Sequence, residues 1–157
     1  MARKGQAQKR EIPPDSKYGS VLVQRLINKI MLNGKKTVAE RIVYEALKDA
    51  GTKLKKPPME VFQKAMDNIS PMVQLRSRRV GGSNYQIPTE VSASRKIILS
   101  MQWLIGSSRS KKGMPMAKRL SLELVDAYNN TGGAIKKKED THKMAEANRA
   151  FAHFARF

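Results

Sequence analysis

Three arginines, Arg76, Arg78 and Arg79, stand just before Gly81-Gly82, and Ser83, Asn84, Tyr85 and Gln86 follow. Guanidinium groups fork onto phosphate oxygens, amides and hydroxyls reach base edges, and a phenol ring offers a face to an unstacked base. The chemistry this set supports is recognition, not bond breaking. The absence of cysteine excludes disulfides, thiolate metal sites and thiol nucleophiles. His142 and His153 lie eleven positions apart, with no carboxylate spaced to complete a ligand set. The sequence carries no phosphate-loop glycine pattern, nucleophile elbow or paired-acid arrangement. Nine methionines at helical spacing are most simply core filler. No enzymatic activity, metal or cofactor is expected.

The element that must position these groups is a β-hairpin over residues 72–91, the one convincing β segment in a chain otherwise written at helical period. Gly81-Gly82 supplies the positive φ angles of a tight two-residue turn. That turn pairs Val80 with Ser83, Arg78 with Tyr85 and Arg76 with Ile87. Alternation then puts Arg76, Arg78, Tyr85 and Ile87 on one face, with Arg79 and Gln86 on the other. Pro88 cannot donate to a ladder, which predicts an open edge. Strands of about eight residues at ~3.4 Å each reach roughly 27 Å from the body. An isolated hairpin is marginal in water, so the arm makes sense if a partner completes it; a solvated charged face is the plainer alternative.

The totals favour the partner. The chain has 157 residues, which predicts one domain over 1–157, and 31 Lys plus Arg against 13 Asp plus Glu give a net charge of +18. A compact domain so charged repels itself, and a polyanion relieves the repulsion. Nucleic acid is the first candidate. An anionic membrane surface is the weaker one, because the predicted helices carry apolar stripes of ordinary core width. No apolar run approaches the ~18 residues of a membrane span, and no such run follows Met1-Ala2-Arg3-Lys4-Gly5. Neither a secretory signal nor a membrane partner is therefore expected, and the predicted location is cytoplasmic.

Residues 1–19 read as a basic tail, with Arg3, Lys4, Lys9 and Arg10 ahead of Glu11 and Pro13-Pro14 blocking helix. Ser20 is the predicted N-cap of a first helix with Leu22, Val23, Leu26, Ile27, Ile30 and Met31 inward, ended by Asn33-Gly34. Lys35 and Lys36 open a second, where they oppose the helix dipole and hint at an external anion. Its inward set is Val38, Ile42, Val43, Ala46, Leu47 and Ala50, with a stop at Gly51. Pro57-Pro58 starts a third with Val61, Phe62, Ala65, Met66 and Ile69 inward. After the arm, Ser92 or Ser94 starts a fourth, buried through Ile97, Ile98, Met101, Leu104 and Ile105. Trp103 is better placed for core packing than for base stacking.

Between Val91 and Leu122 there is no acid, while Arg95, Lys96, Arg109, Lys111, Lys112, Lys118 and Arg119 fall there. An ordinary solvated surface mixes signs. A loop from Gly106 to Gly113 is expected to wrap phosphates with its backbone N–H groups. Pro115 begins a fifth helix, and Asn129–Gly133 breaks it. A sixth runs from about Ala134 with Lys136, Lys137 and Lys138 in its first turns. Most of the acids sit on helices rich in lysine and are read as solvated partners there. In the tail over 150–157, Phe151, His153, Phe154 and Phe157 either dock on the body or stack on a base.

Several stretches carry a resemblance. Pro14-Asp15-Ser16-Lys17-Tyr18, Leu26 through Met31 and Gly34-Lys35-Lys36 resemble the opening of the bacterial small-subunit ribosomal protein seven family. Residues Arg76 through Pro88 resemble its hairpin signature, and Ala134 through Phe154 its closing block. The match spans nearly the whole chain in order, although many members finish on Arg-Trp and this chain ends Ala155-Arg156-Phe157. The resemblance implies a mainly α fold of about six helices with a β-hairpin arm protruding between the third and fourth. It implies a structural, non-enzymatic protein of the ribosome that binds small-subunit ribosomal RNA and organises the head, its three-prime major domain.

It further implies that the arm and last helix approach the anticodon stem-loop of exit-site tRNA, with Gly81, Gly82, Ser83, Asn84, Tyr85 and Lys136–Lys138 nearest. Neighbouring head and platform proteins, numbers nine and eleven, are implied partners, and some relatives bind their own messenger RNA. An architectural DNA protein is the rival reading, since arginine-bearing arms also enter minor grooves. Such arms favour an apolar wedge at the tip, where this one has Gly-Gly.

Overall fold

The computed structural model describes residues 11–156, so Arg3, Lys4, Lys9, Arg10 and Phe157 lie outside the described residues. The order of elements is α1 (Val21–Ile30), α2 (Lys36–Leu54), α3 (Pro58–Ile69), β1 (Val73–Val80), β2 (Ser83–Glu90), α4 (Ala93–Ser110), α5 (Met116–Tyr128), α6 (Gly133–Ala147) and a C-terminal 3-10 helix (Arg149–Arg156). This is the expected mainly helical architecture with the hairpin between α3 and α4.

Helical period places one apolar stripe of each helix on a common core. Val23, Leu26 and Ile27 of α1, Val43 and Leu47 of α2, and Phe62 and Ile69 of α3 are fully buried. Leu104 of α4 and Leu120 and Leu124 of α5 complete that centre, and α5 packs against α2, α3 and α4 together. Burying each such side chain contributes about 1.5–3 kcal/mol. Trp103 is packed against the same core, as its place beside the α4 stripe predicts.

Several expectations change. The second helix does not stop at Gly51 but continues to Leu54, and Lys55 takes the left-handed conformation at its end with φ 52°. Gly51 is there for close approach: a Cβ would lie 2.9 Å from the Lys56 carbonyl oxygen and 3.0 Å from Pro58 Cγ. Val38 and Ile98 are 50% and 42% exposed, outside the stripes assigned to them. The inward face of α2 starts one position later, at Ala39, while α4 buries Leu99 and Ser100 beside Met101.

The predicted loop Gly106–Gly113 is helix as far as Ser110. The Ser108 hydroxyl donates to the Leu104 carbonyl at 2.7 Å and Ser110 to Ser107 at 2.7 Å. These serines bond back along the helix instead of opening a turn, so the backbone N–H groups of 106–110 are not displayed as a phosphate wrap.

The basic tail also ends earlier than expected. Asp15 is 3% exposed. Its carboxylate accepts from the backbone N–H of Lys17 and Tyr18 at 3.1 and 2.9 Å, and from the Tyr44 hydroxyl at 2.5 Å. That bond holds the Tyr44 hydroxyl above its usual pKa. Residues 15–18 are thereby pinned to α2.

Candidate nucleic-acid interface

The arm has the predicted register, with Val80 opposite Ser83, Arg78 opposite Tyr85 and Arg76 opposite Ile87. Gly81 and Gly82 have φ of 57° and 91°, both positive as a type I′ turn demands. Arg76, Arg78, Arg79, Gly81, Gly82, Ser83 and Asn84 are exposed, and the sheet holds these two strands alone. No carboxylate pairs with Arg76 or Arg79 among the described residues. Two guanidinium groups with no carboxylate against them, those of Arg76 and Arg79, are poised for external anions.

The arm's base is anchored. Ile87, at 2% exposed, is its one fully covered apolar residue on β2. Tyr85 does not stand open to stack on a base: its ring meets Phe151 of the 3-10 helix at a centroid distance of 5.0 Å. Docking of the C-terminal aromatic was one of two open expectations, and for Phe151 it is the one the fold adopts.

His142 of α6 accepts the Met72 backbone N–H at Nε2, 3.2 Å away. Burial first, then the Lys138 ammonium, lowers the His142 pKa, which favours the neutral ring, the form in which Nε2 can accept. Sequence spacing found no metal or catalytic use for this histidine but gave no sign of its role as a latch. Arg95 Nε of α4 lies 3.4 Å from Gln74 Oε1 on β1 and joins the other side of the base.

Through the latch, α6 shares a surface with the arm. Lys136 and Lys137 are exposed in its first turns, while Lys138 is half-buried and donates to the Asn68 carbonyl at 2.6 Å. Two lysines beside the N-terminal end of a helix meet the positive end of its dipole. Their cost is offset where a carboxylate stands close, and Glu123 fills that role.

Glu123 corrects the reading of the acids as solvated partners. It is fully buried; Oε1 accepts the Ala134 backbone N–H at 2.8 Å, and Oε2 lies 2.9 Å from Lys111 Nζ. The same ammonium reaches Asp126 at 2.8 Å. Burial alone would lower the Lys111 pKa, but the hydrogen bonds and charges of Asp126 and Glu123 outweigh it and hold the group above its usual value. The charge of Lys111 is thus engaged inside the fold.

The remaining predicted cations divide. Lys35, Lys112 and Lys118 are exposed and Lys96 half-buried. Lys36 reaches Glu40 at 3.7 Å, a solvated pair worth little. Arg109 donates to the Ile30 carbonyl at 3.3 Å, and Arg119 donates to the Met114 carbonyl.

Arg25 and Lys29 of α1 were not singled out by sequence. They line a groove of about 1000 Å³ with Asn28, Ser94 and Ile97. Lys29 Nζ donates to the Ile98 carbonyl at 2.9 Å, and its pKa is lowered by burial and then by the nearby Arg95. The available signal was the i,i+4 spacing of Arg25 and Lys29, which puts two cations on one helix face.

Comparison with known proteins is consistent along the chain. The family model described as "Ribosomal protein S7p/S5e" matches residues 2–149. The chain is 57% identical over 156 residues to the small ribosomal subunit protein uS7 of Chloroflexus aurantiacus, covering 99% of both chains. It is 55% identical over 152 residues to uS7 of Thermotoga neapolitana, covering 97% of this chain and 98% of that one. For uS7 of Dictyoglomus turgidum the identity is 54% over 154 residues, with 98% and 99% covered. A helical body with a cationic arm, matched over nearly its full length, places this chain in the ribosomal protein S7p/S5e family.

Proposed function

We propose that this ribosomal protein is a structural, non-enzymatic constituent of the small subunit that binds its ribosomal RNA and organises the head, the three-prime major domain. The observation that carries this reading is the joint surface of arm and α6. Arg76, Arg79, Lys136 and Lys137 stand exposed without carboxylate partners among the described residues, on two elements held together by the His142–Met72 bond. Free cations on a fixed scaffold neutralise phosphates without first breaking an internal ion pair.

In this proposal Arg76, Arg78 and Arg79 take ribosomal RNA along the arm, and Arg95 and Lys96 take it beside the arm base. Lys35, Lys36, Arg109, Lys112, Lys118 and Arg119 serve from the body, and Arg3, Lys4, Lys9 and Arg10 from the N-terminal stretch. Lys111 contributes to the RNA surface indirectly, by fixing α5 against α6. The turn Gly81–Tyr85 and Lys136–Lys138 lie nearest exit-site tRNA. Proteins nine and eleven of the head and platform are the proposed neighbours, and the chain's own messenger RNA a further ligand.

The test is binding to isolated head-domain RNA from low to moderate salt. Each neutralised phosphate should steepen the fall of affinity by about 0.7–0.9 log units per log unit rise in salt. A flat response would sink the proposal. For the tRNA contact, cross-links from the arm to exit-site tRNA in intact particles are expected; their absence alongside normal RNA capture would remove that part alone.

A further inference from the structure

Away from the arm, a second cationic cluster surrounds an aromatic ring. Tyr128, the last residue of α5, has Lys64 Nζ 4.5 Å and Lys56 Nζ 5.4 Å from its ring centroid. Two ammonium groups held against one ring repel each other, and the ring's quadrupole offsets only part of that. Lys53 in the last turn of α2 and Lys55 just after it are exposed and add to the local positive potential.

The simplest structural account is that these lysines cap the negative end of α5. The hydrogen bonds argue otherwise. Asn68 Nδ2 donates to the Ala127 and Tyr128 carbonyls at 2.9 and 3.1 Å. The backbone N–H groups of Asn129, Asn130 and Thr131 take the Val125, Asp126 and Ala127 carbonyls. The end of α5 is closed without either lysine. Lys56 has a solvated carboxylate partner in Glu60 at 3.3 Å, whereas Lys64 pairs with no carboxylate among the described residues.

The cluster is also continuous with the α6 surface. Lys138 donates to the Asn68 carbonyl, and the Asn68 side chain donates to Tyr128. Asn68 thus joins Lys138 of α6 to the end of α5 beside Lys64.

We propose that Lys56, Lys64 and Tyr128 form a second RNA-contact site, in which the ammonium groups take backbone phosphates and the ring takes a ribose or unstacked base. This rests on the RNA-binding reading above and extends it to a face that reading does not use. The pairing of a cation with an aromatic platform is how single-stranded RNA is gripped without sequence preference. The RNA source is either ribosomal RNA or exit-site tRNA, and two probes separate them.

The experiment compares the full chain with the Lys56→Gln/Lys64→Gln double variant, a Lys48→Gln control on α2 and an arm variant, Arg76→Gln/Arg79→Gln. Salt dependence of binding is measured on isolated head-domain RNA, and on a tRNA anticodon stem-loop with reconstituted subunits. The double variant should lose about 0.7–0.9 of slope for each phosphate given up, while Lys48→Gln keeps the full slope. A loss with head-domain RNA assigns the site to ribosomal RNA, and a loss confined to the stem-loop assigns it to tRNA. Tyr128→Leu should keep the slope and weaken binding on the order of tenfold, as for loss of one stacked base. If the double variant matches the full chain on both probes while the arm variant loses slope, the second site is overturned and the arm reading stands. If neither loses slope, both fall.

Discussion

The arm and the α5–α6 corner use the same residue types to opposite ends. At the corner, Lys111 is drawn 2.9 Å from a fully buried Glu123 and 2.8 Å from Asp126. In the arm, Arg76 and Arg79 are exposed and pair with no carboxylate among the described residues. One set of charge makes the body; the other is offered outward. A net charge of +18 cannot separate the two, because the difference lies in where the few acids fold.

The largest expected effect breaks the corner. Lys111→Met leaves Glu123 buried without its cation, at a cost of about 3 kcal/mol, the low end for breaking a buried pair because the lysine keeps some solvent. A urea midpoint unchanged from the parent would show the corner to be ordinary surface. Next comes the buried apolar anchor on β2. Ile87→Ala should cost about 2 kcal/mol by removing a buried aliphatic side chain, and hydrogen exchange should quicken in β1 and β2 before it does in α2 or α5. Equal quickening throughout would mean that the arm belongs to the core.

The smallest effect is that of pH on the latch. The pKa of His142 is depressed in the fold, so the unfolded chain binds the proton more readily. The latch's stabilisation is therefore fully present above the unfolded value of about 6.5. It is lost as pH falls below that value toward the lower folded pKa. The protection of the Met72 amide, its exchange rate relative to that of an unstructured amide at the same pH, should fall between neutral and mildly acid pH, and His142→Ala should abolish that dependence.

Periodicity made most of this fold legible. The stripes of α1 and α3 and the register set by Gly81-Gly82 needed nothing beyond spacing. It failed where a residue's usual habit is overridden by a neighbour distant in sequence. Gly51 reads as a helix stop, yet it is small so that Lys56 and Pro58 can approach. Gly106 through Ser110 reads as a loop, but serine hydroxyls turned back onto helix carbonyls let the helix run on.

Glu123 shows the limit most clearly. Nothing in its surroundings on the chain says that a carboxylate there will be buried, because the partners that make burial tolerable come from Lys111 and the start of α6. The candidate arm residues were legible because a hairpin is a local structure. The latch between His142 and Met72, seventy positions apart, was not.

The most direct measurement sets the two cation populations side by side, scoring Arg76→Gln/Arg79→Gln and Lys111→Gln for urea midpoint and for salt slope on head-domain RNA. The expected result is a crossed pattern. The arm variant should keep its midpoint and lose about 0.7–0.9 of slope per phosphate, while the corner variant loses midpoint and keeps its slope. If both variants move the same quantity, or the arm variant keeps its full slope, the division between inward and outward charge is contradicted.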